Sequence, residues 1–344
     1  MLEPFGNQCV RQDRLEAMTS WWVRGHQIFL MAISLLTNFL TAYSVVLLRR
    51  RRAMFGTSRS LILLVLFFAE FYLFIKGITE GLKFYKSFAD ATNPCGIQFT
   101  AIFCRPLVWA HLSSYFCLVF SVTLLVLKQS LNTFFKTNFL TTATSTFVGY
   151  IFILVLGITH TAYVLEEETY TTYVPNCTQV PLITANGFFE KTVIFSILAF
   201  FNFFQSSLLF YWSMCVARKT AKTFMMEAKF DAYENLITSK AVCLITFSII
   251  LFMSMAWAFF YLMFTSNTGL EGYWLHVFDE YTELVSVGAF FVPVIVVATI
   301  RDVTKTRERS MKTAMTARYE LSMDRLRQDW DVAWARTRSV SLKY

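Results

Sequence analysis

The chain has 344 residues, of which 56% are hydrophobic and 17% aromatic, and it carries 31 Lys and Arg against 23 Asp and Glu, a net charge of +8. So much apolar sequence, gathered into seven long runs, excludes a soluble globular domain. It also makes the basic excess a sign of membrane topology and of contact with anionic lipid, rather than of nucleic-acid binding.

The apolar runs cover about 26–48, 60–82, 105–127, 143–165, 189–216, 240–264 and 281–300. Each is close to the ~20 residues that a helix needs to cross ~30 Å of hydrocarbon. Lipid offers no hydrogen bonds, so each segment must satisfy its own backbone groups, as a helix does. The sequence therefore predicts an all-α membrane protein, a seven-transmembrane helix bundle.

Basic residues crowd the ends of alternate runs. Arg49–Arg52 follow the first run, Arg218 and Lys219 follow the fifth, and many others lie beyond Arg301. Because basic residues stay cytoplasmic, the N-terminus is predicted outside and the C-terminus inside. The chain then divides into an extracellular tail (1–25), the bundle (26–300) and a cytoplasmic amphipathic tail (301–344).

Four cysteines fall on the predicted outer side, which is oxidising and allows two disulfide bridges. Cys104 is at the outer tip of run three and Cys177 lies in the long loop after run four, so a bridge between them would pin that loop over the bundle. Cys9 and Cys95 are then left to pair, although the other two connectivities stay open. Asn176 begins an N-x-[ST] sequon in the same loop and is a predicted glycosylation site. The Thr, Tyr and Val content of this loop permits a short strand.

Run two carries ionisable residues that must avoid lipid. Lys76 and Glu80 are four residues apart and are predicted to pair on one helix face. Glu70 lies deeper and needs a partner, for which Asn38 of run one is a candidate. Two interpretations remain, an internal polar site that responds to activation and a satisfied interhelical hydrogen bond.

Polar and aromatic side chains near the outer ends of the runs are candidates for ligand contact. They are His111, Tyr115, His160, Trp257, Tyr261 and Glu283. Their spacing suggests no metal site. Because the sequence contains no HExxH, GxSxG or Gly-rich phosphate loop, neither an enzyme nor a cofactor is predicted.

Several motifs resemble those of the nematode chemoreceptors of the serpentine receptor class alpha/beta (Sra) superfamily, which are seven-transmembrane and G-protein-coupled-receptor-like. Asn93–Cys95 followed by Cys104–Arg105 is similar to the family's cysteine pattern before helix three. Thr133–Phe134 stand where the family has a threonine and an aromatic residue, and Phe230–Leu236 resemble its segment before helix six. Lys128–Gln129 replace the family's Glu-Arg pair.

The resemblance implies a chemosensory receptor that binds a small molecule in an outer cavity between helices three, five, six and seven. It implies signalling to a heterotrimeric G protein from the plasma membrane of sensory cells. The implied G-protein contacts are Lys128, Gln129, Arg218, Lys219, Lys222, Glu234 and Asn235. The alternative is a ligand-gated channel or carrier of the seven-helix type, like insect odorant receptors, but these have the N-terminus inside, against the charge distribution here.

Overall fold

The computed structural model describes residues 9–50, 58–135, 143–166, 173–174, 177, 185–221, 226–265, 273–281, 284–305 and 323–324. Its helices and strands are α1 (Gln12–Thr19), α2 (Trp21–Arg50), α3 (Arg59–Ala89), β1 (Phe99–Thr100), α4 (Ala101–Phe135), α5 (Ala143–Val164), β2 (Tyr173–Val174), α6 (Ala185–Thr220), α7 (Met226–Thr265), α8 (Tyr273–Tyr281) and α9 (Val285–Lys305). The chain separates into two compact units, Met1–Val297 and Ala298–Tyr344. In the second unit the last turns of α9 are helical, and the Thr304 hydroxyl donates to the Ile300 carbonyl at 2.9 Å.

Seven helices are long and apolar enough to cross a bilayer, namely α2 to α7 and α9. This confirms the predicted seven-helix bundle. Several helices extend beyond the apolar runs; α7, for example, begins at Met226, well before the run that starts near residue 240. Hydropathy marks only the stretch that lies in hydrocarbon, whereas the helical backbone continues into polar sequence.

The segment before the first apolar run, predicted to be a tail, contains the short helix α1 and the first turn of α2. Ser20 separates the two helices with an extended backbone, and its hydroxyl accepts a hydrogen bond from the Val23 N–H at 3.3 Å. This is the usual role of a serine before the first turn of a helix. Leu15 and Met18 of α1 pack with Val10 and Ile97.

Both predicted disulfide bridges are present, Cys9–Cys95 and Cys104–Cys177. They mark what is called below the disulfide end of the bundle. Beside the second bridge, β1 pairs with β2 in an antiparallel ladder, with Phe99 opposite Val174 and Thr100 opposite Tyr173. The loop after α5 is therefore held to the start of α4 by a covalent bond and by backbone hydrogen bonds.

The helix α4 is central, because it packs against α3, α5, α6 and α7. Small residues allow close helix contacts, as is common in membrane bundles. A Cβ added at Gly77 of α3 would lie 2.5 Å from the Ser34 hydroxyl of α2, and one added at Gly157 of α5 would overlap Cys117 of α4. The core of the disulfide half includes Phe116, Val119, Leu112 and Phe195.

Candidate functional site

Four charged side chains, here called the charge cluster, lie buried near the disulfide end. Lys76, Glu80 and Lys83 share one face of α3, at positions i, i+4 and i+7, and Glu280 belongs to α8. Glu80 Oε1 lies 2.8 Å from Lys76 Nζ and 3.0 Å from Lys83 Nζ, and Lys83 Nζ lies 2.5 Å from Glu280 Oε2. Each of these side chains is at most 8% exposed. The cluster is formally neutral, as burial of ionised groups requires.

The sequence correctly predicted only the local pair of this cluster, Lys76 with Glu80. Neither Lys83 nor Glu280 was among the residues singled out from the sequence. The position of Lys83 was detectable, because residues three and seven positions from Glu80 and Lys76 fall on the same helix face. The contact of Glu280 with Lys83 was not detectable, because the two residues are 197 positions apart in the chain.

Two histidines border the charge cluster from neighbouring helices. His26 of α2 lies close to Glu80 and Glu280, and its ring centroid is 4.4 Å from that of Tyr281. His111 of α4 lies close to Lys76 and Glu80. Among the described residues, His26 Nε2 and His111 Nδ1 are buried and have no hydrogen-bond partner. Buried polar atoms of this kind call for a water or a ligand.

Three of the six predicted ligand residues meet in one aromatic group. His111 stacks on Tyr72 of α3 at 4.6 Å, and Tyr115, one turn further along α4, lies 6.1 Å from the same ring. The Tyr115 hydroxyl donates to the sulfur of Met253 on α7 at 3.2 Å. The His160 ring of α5 joins the group through the neighbouring phenylalanines.

The phenylalanines that link His160 to α4 are Phe116 and Phe195, whose centroids lie 4.6 and 4.5 Å from the imidazole. Phe195 also lies 6.5 Å from the Tyr115 ring. Of the other three predicted ligand residues, Trp257 is half-buried on α7, whereas the Tyr261 side chain and Glu283 lie outside the described residues.

A small cavity of about 10 Å³ lies deeper, between α4, α6 and α7. Its lining residues are Val119, Val122, Ala199, Asn202, Thr246 and Ile249. It has room for about one water. These helices are three of the four predicted to enclose the ligand, but the lining includes none of the predicted ligand residues whose side chains the structure describes.

Polar side chains also join helices at the end of the bundle opposite the disulfides, in what is called below the polar hub (Gln129, Ser130, Gln205, Ser213 and Ser239). Gln129 Nε2 of α4 donates to the Ser239 hydroxyl of α7 at 3.1 Å and to the Asn235 carbonyl at 3.4 Å. Ser239 in turn contacts Ser213 of α6 at 3.0 Å. Gln205 of α6 donates to Ser130 of α4 at 2.7 Å.

The residues expected to contact a G protein are distributed unevenly between surface and core. Lys128 and Gln129 are buried in this conformation, with at most 1% of their surface exposed. Arg218 and Lys219 are exposed at the end of α6, while Lys222 lies outside the described residues. Glu234 and Asn235 are half-buried on α7. Among the expected contacts that the structure describes, the exposed basic residues are Arg218 and Lys219 at the α6 terminus.

The predicted internal polar site does not form as a pair of Asn38 and Glu70. The Asn38 amide donates to the Ser34 carbonyl of its own helix at 2.9 Å. Glu70 is half-buried, and Thr41 of α2 is the side chain that lies beside its carboxyl group. Asn176 lies outside the described residues. Among the described residues, no group of three His, Cys, Asp or Glu could hold a metal ion.

Comparison with known proteins relates the whole architecture to one family. Residues 6–330 match the family described as serpentine type 7TM GPCR chemoreceptor Sra. Two proteins of Caenorhabditis elegans are similar: serpentine receptor class alpha-28, with 24% identity over 92% of this chain and 94% of its own, and serpentine receptor class alpha-31, with 22% identity over 69% of this chain and 70% of its own.

A solved structure of much lower sequence identity has a similar fold. The crystal structure of squid rhodopsin superimposes with a TM-score of 0.56 at 11% identity, covering 79% of this chain and 76% of that one. At this identity the likeness concerns the helix bundle alone. The match over nearly the entire length shows that the chain belongs to the Sra family of serpentine seven-transmembrane chemoreceptors.

Proposed function

We propose that this protein is a chemosensory receptor that binds a small molecule in the disulfide half of the bundle and signals to a heterotrimeric G protein at the opposite end. The observation that carries the proposal is that α4 contributes to both places. His111 and Gln129 are separated by about 18 residues, which corresponds to about 27 Å of helix. A shift of α4 against its neighbours would therefore change the contacts at both ends of the bundle.

The mechanism follows from differential binding. A ligand that contacts the aromatic group better in one conformer shifts the population towards it. In the signalling conformer α6 and α7 move away from α4, so that the bonds from Gln129 to Ser239 and Asn235 break. The opened groove receives a helix of the G protein. The exposed Arg218 and Lys219 assist docking through their charge.

The orientation proposed is N-terminus outside, at the plasma membrane of a sensory cell. Two features support it: both bridges lie at one end, where an oxidising compartment is needed, and basic residues are concentrated at the other. An epitope placed before Cys9 should be accessible on intact cells, and one at the C-terminus only after permeabilisation. A lower gel mobility of the wild type than of Asn176→Gln would put that loop outside as well. The reverse accessibility would favour the channel-type alternative.

Coupling is tested by charge reversal at the end of α6. Arg218→Glu combined with Lys219→Glu and Lys222→Glu should abolish ligand-evoked responses while surface expression and ligand binding persist, because the ligand site is about a bilayer thickness away. Arg105→Glu is the control, an exposed arginine near the disulfide end. Undiminished responses in the triple variant, at normal surface level, would rule out this surface as the coupling site.

A further inference from the structure

The charge cluster contains a cation whose counter-ion comes from a different element. On α3, Lys76 and Lys83 outnumber Glu80, so this buried face alone has one positive charge in excess. Glu280 of α8 supplies the missing negative charge. Because an uncompensated buried charge is strongly unfavourable, a second anion, besides the Glu80 that both lysines share, must lie next to Lys83 in any stable state. That anion need not be Glu280.

The helix α8 is held in place without this ion pair. Val277 packs between Ala17 and Val23 of the first two helices, and the Tyr281 hydroxyl donates to the Trp22 carbonyl at 3.0 Å. The carboxylate of Glu280 can therefore leave Lys83 by a side-chain rotation, while α8 stays docked. Such a rotation frees a volume about the size of the CH₂–COO⁻ group itself.

We propose that the charge cluster binds the carboxylate of a small organic acid, which replaces Glu280 as the partner of Lys83. This inference rests on the proposed function and adds the chemical class of the ligand. In the released position Glu280 is transferred towards the surface of α8, so the ligand changes how α8 is tied to α3. The adjoining aromatic group, beginning with His111 and Tyr72, provides an apolar wall for the rest of the ligand.

A second observation also indicates a ligand at this place. His26, next to Glu80 and Glu280, is more than nine-tenths buried, and its Nε2 atom has no hydrogen-bond partner in the described part of the chain. His111, which lies close to Lys76 and Glu80, is also more than nine-tenths buried, and its Nδ1 atom has no hydrogen-bond partner among the described residues. These atoms are available to hydroxyl, carbonyl or amine groups near the carboxylate of a ligand.

A cationic ligand fits less well. The exchangeable member of the cluster is an anion. An ammonium ion that displaced Lys83 would have to break two ion pairs, and one that displaced Lys76 would have to break its 2.8 Å pair with Glu80 on the same helix. An ammonium ion added beside the intact cluster would be a buried charge without a counter-ion. Charge balance therefore favours a carboxylate, with the amine as the alternative that the experiment can detect.

The test uses the full chain in lipid nanodiscs without G protein, so its outcome does not depend on coupling. Glu280→Ala removes the native carboxylate and leaves an acetate-sized space beside Lys83. Acetate should raise the Tm of this variant by about 2–4 °C, a shift that corresponds to roughly 1 kcal/mol. Acetamide, methylammonium chloride and sodium chloride, at the same concentration, should not.

The matched control is the double variant Lys83→Met/Glu280→Ala, which keeps the neutral pair of Lys76 and Glu80 and should show no acetate effect. If Glu280→Ala does not fold, the wild type and Glu280→Gln are compared instead: short-chain carboxylates should shift the Tm of both more than the matching amides do, and more strongly in Glu280→Gln. An equal effect of acetate and acetamide, a persistent effect in the double variant, or stabilisation by methylammonium alone would overturn the proposal.

Discussion

Replacing Gln129 by Leu should increase signalling in the absence of ligand. The Gln129 amide makes two contacts with α7, to the Ser239 hydroxyl at 3.1 Å and the Asn235 carbonyl at 3.4 Å. Leucine has a similar volume but can make neither of these hydrogen bonds. Ser239 keeps its bond to Ser213 of α6, whereas the Ser58 hydroxyl, which donates to Gln129 Oε1 at 3.4 Å, loses that partner.

The magnitude follows from hydrogen bonds measured between transmembrane helices, which contribute about 0.6 kcal/mol each. Two of them, one of which is long, amount to about 1 kcal/mol. If the signalling conformer lacks both, Gln129→Leu shifts its population by about fivefold, since 1.4 kcal/mol is a factor of ten. Basal activity per receptor at the surface should rise by this factor.

The assay is basal G-protein activation in cells, normalised to surface receptor measured with an N-terminal epitope. Tyr150→Phe is the control, because it removes a hydrogen bond of similar strength at the same end, from the Tyr150 hydroxyl to the Ser60 carbonyl at 2.8 Å, but between α5 and α3. Basal activity of Gln129→Leu that equals the wild type, or an equal rise in Tyr150→Phe, would refute the role assigned to the α4–α7 link.

Two further predictions concern packing and pH. Gly77→Ala should lower the free energy of unfolding by about 1–3 kcal/mol through overpacking, because the new Cβ lies 2.5 Å from the Ser34 hydroxyl. The control is Gly25→Ala, whose new Cβ meets nothing within 4 Å, so its stability should be unchanged or higher. Equal melting temperatures of the two variants would contradict the close helix contact. Burial, with Arg14 nearby, lowers the pKa of His276 on α8 to about 4, below its usual value of 6.5. The neutral ring therefore contributes stability that is fully present above pH 6.5 and is lost as the pH falls towards 4. Wild-type protein should lose more thermal stability between pH 7 and pH 5 than His276→Gln, and parallel losses would show that His276 is not the group involved.

The features predictable from sequence were those set by local spacing and by lipid. The seven spans follow from apolar length, and the pair of Lys76 and Glu80 follows from helix periodicity. The number of bridges follows from the predicted outer side of the four cysteines, and the pairing of Cys104 with Cys177 was predicted from the position of the long loop. Each of these depends on one stretch of chain or on a single physical constraint.

The features that were missed depend on contacts between distant segments. The helix α1 is polar and eight residues long, so no hydropathy signal marks it, and it is stabilised by packing against α8. Glu280 joins Lys83 only because α8 returns over α3. Gln129 was predicted to be a G-protein contact, but it is buried in this conformation, where serine hydroxyls of α6 and α7 provide it with a polar environment.

The bridge between Cys9 and Cys95 has a consequence for biosynthesis. Its two cysteines are 86 positions apart, and the described residues between them form α1, α2 and α3. The bond can therefore close as soon as the first two spans have been inserted, while the later helices are still being translated. Cys104 must wait for Cys177, 73 residues further along. Because synthesis proceeds from the N-terminus at about 5–20 residues per second, several seconds separate the two events. Once Cys9 and Cys95 have paired, Cys177 is the partner left to Cys104 among the four bridged cysteines, so early closure of the first bridge favours the native pairing.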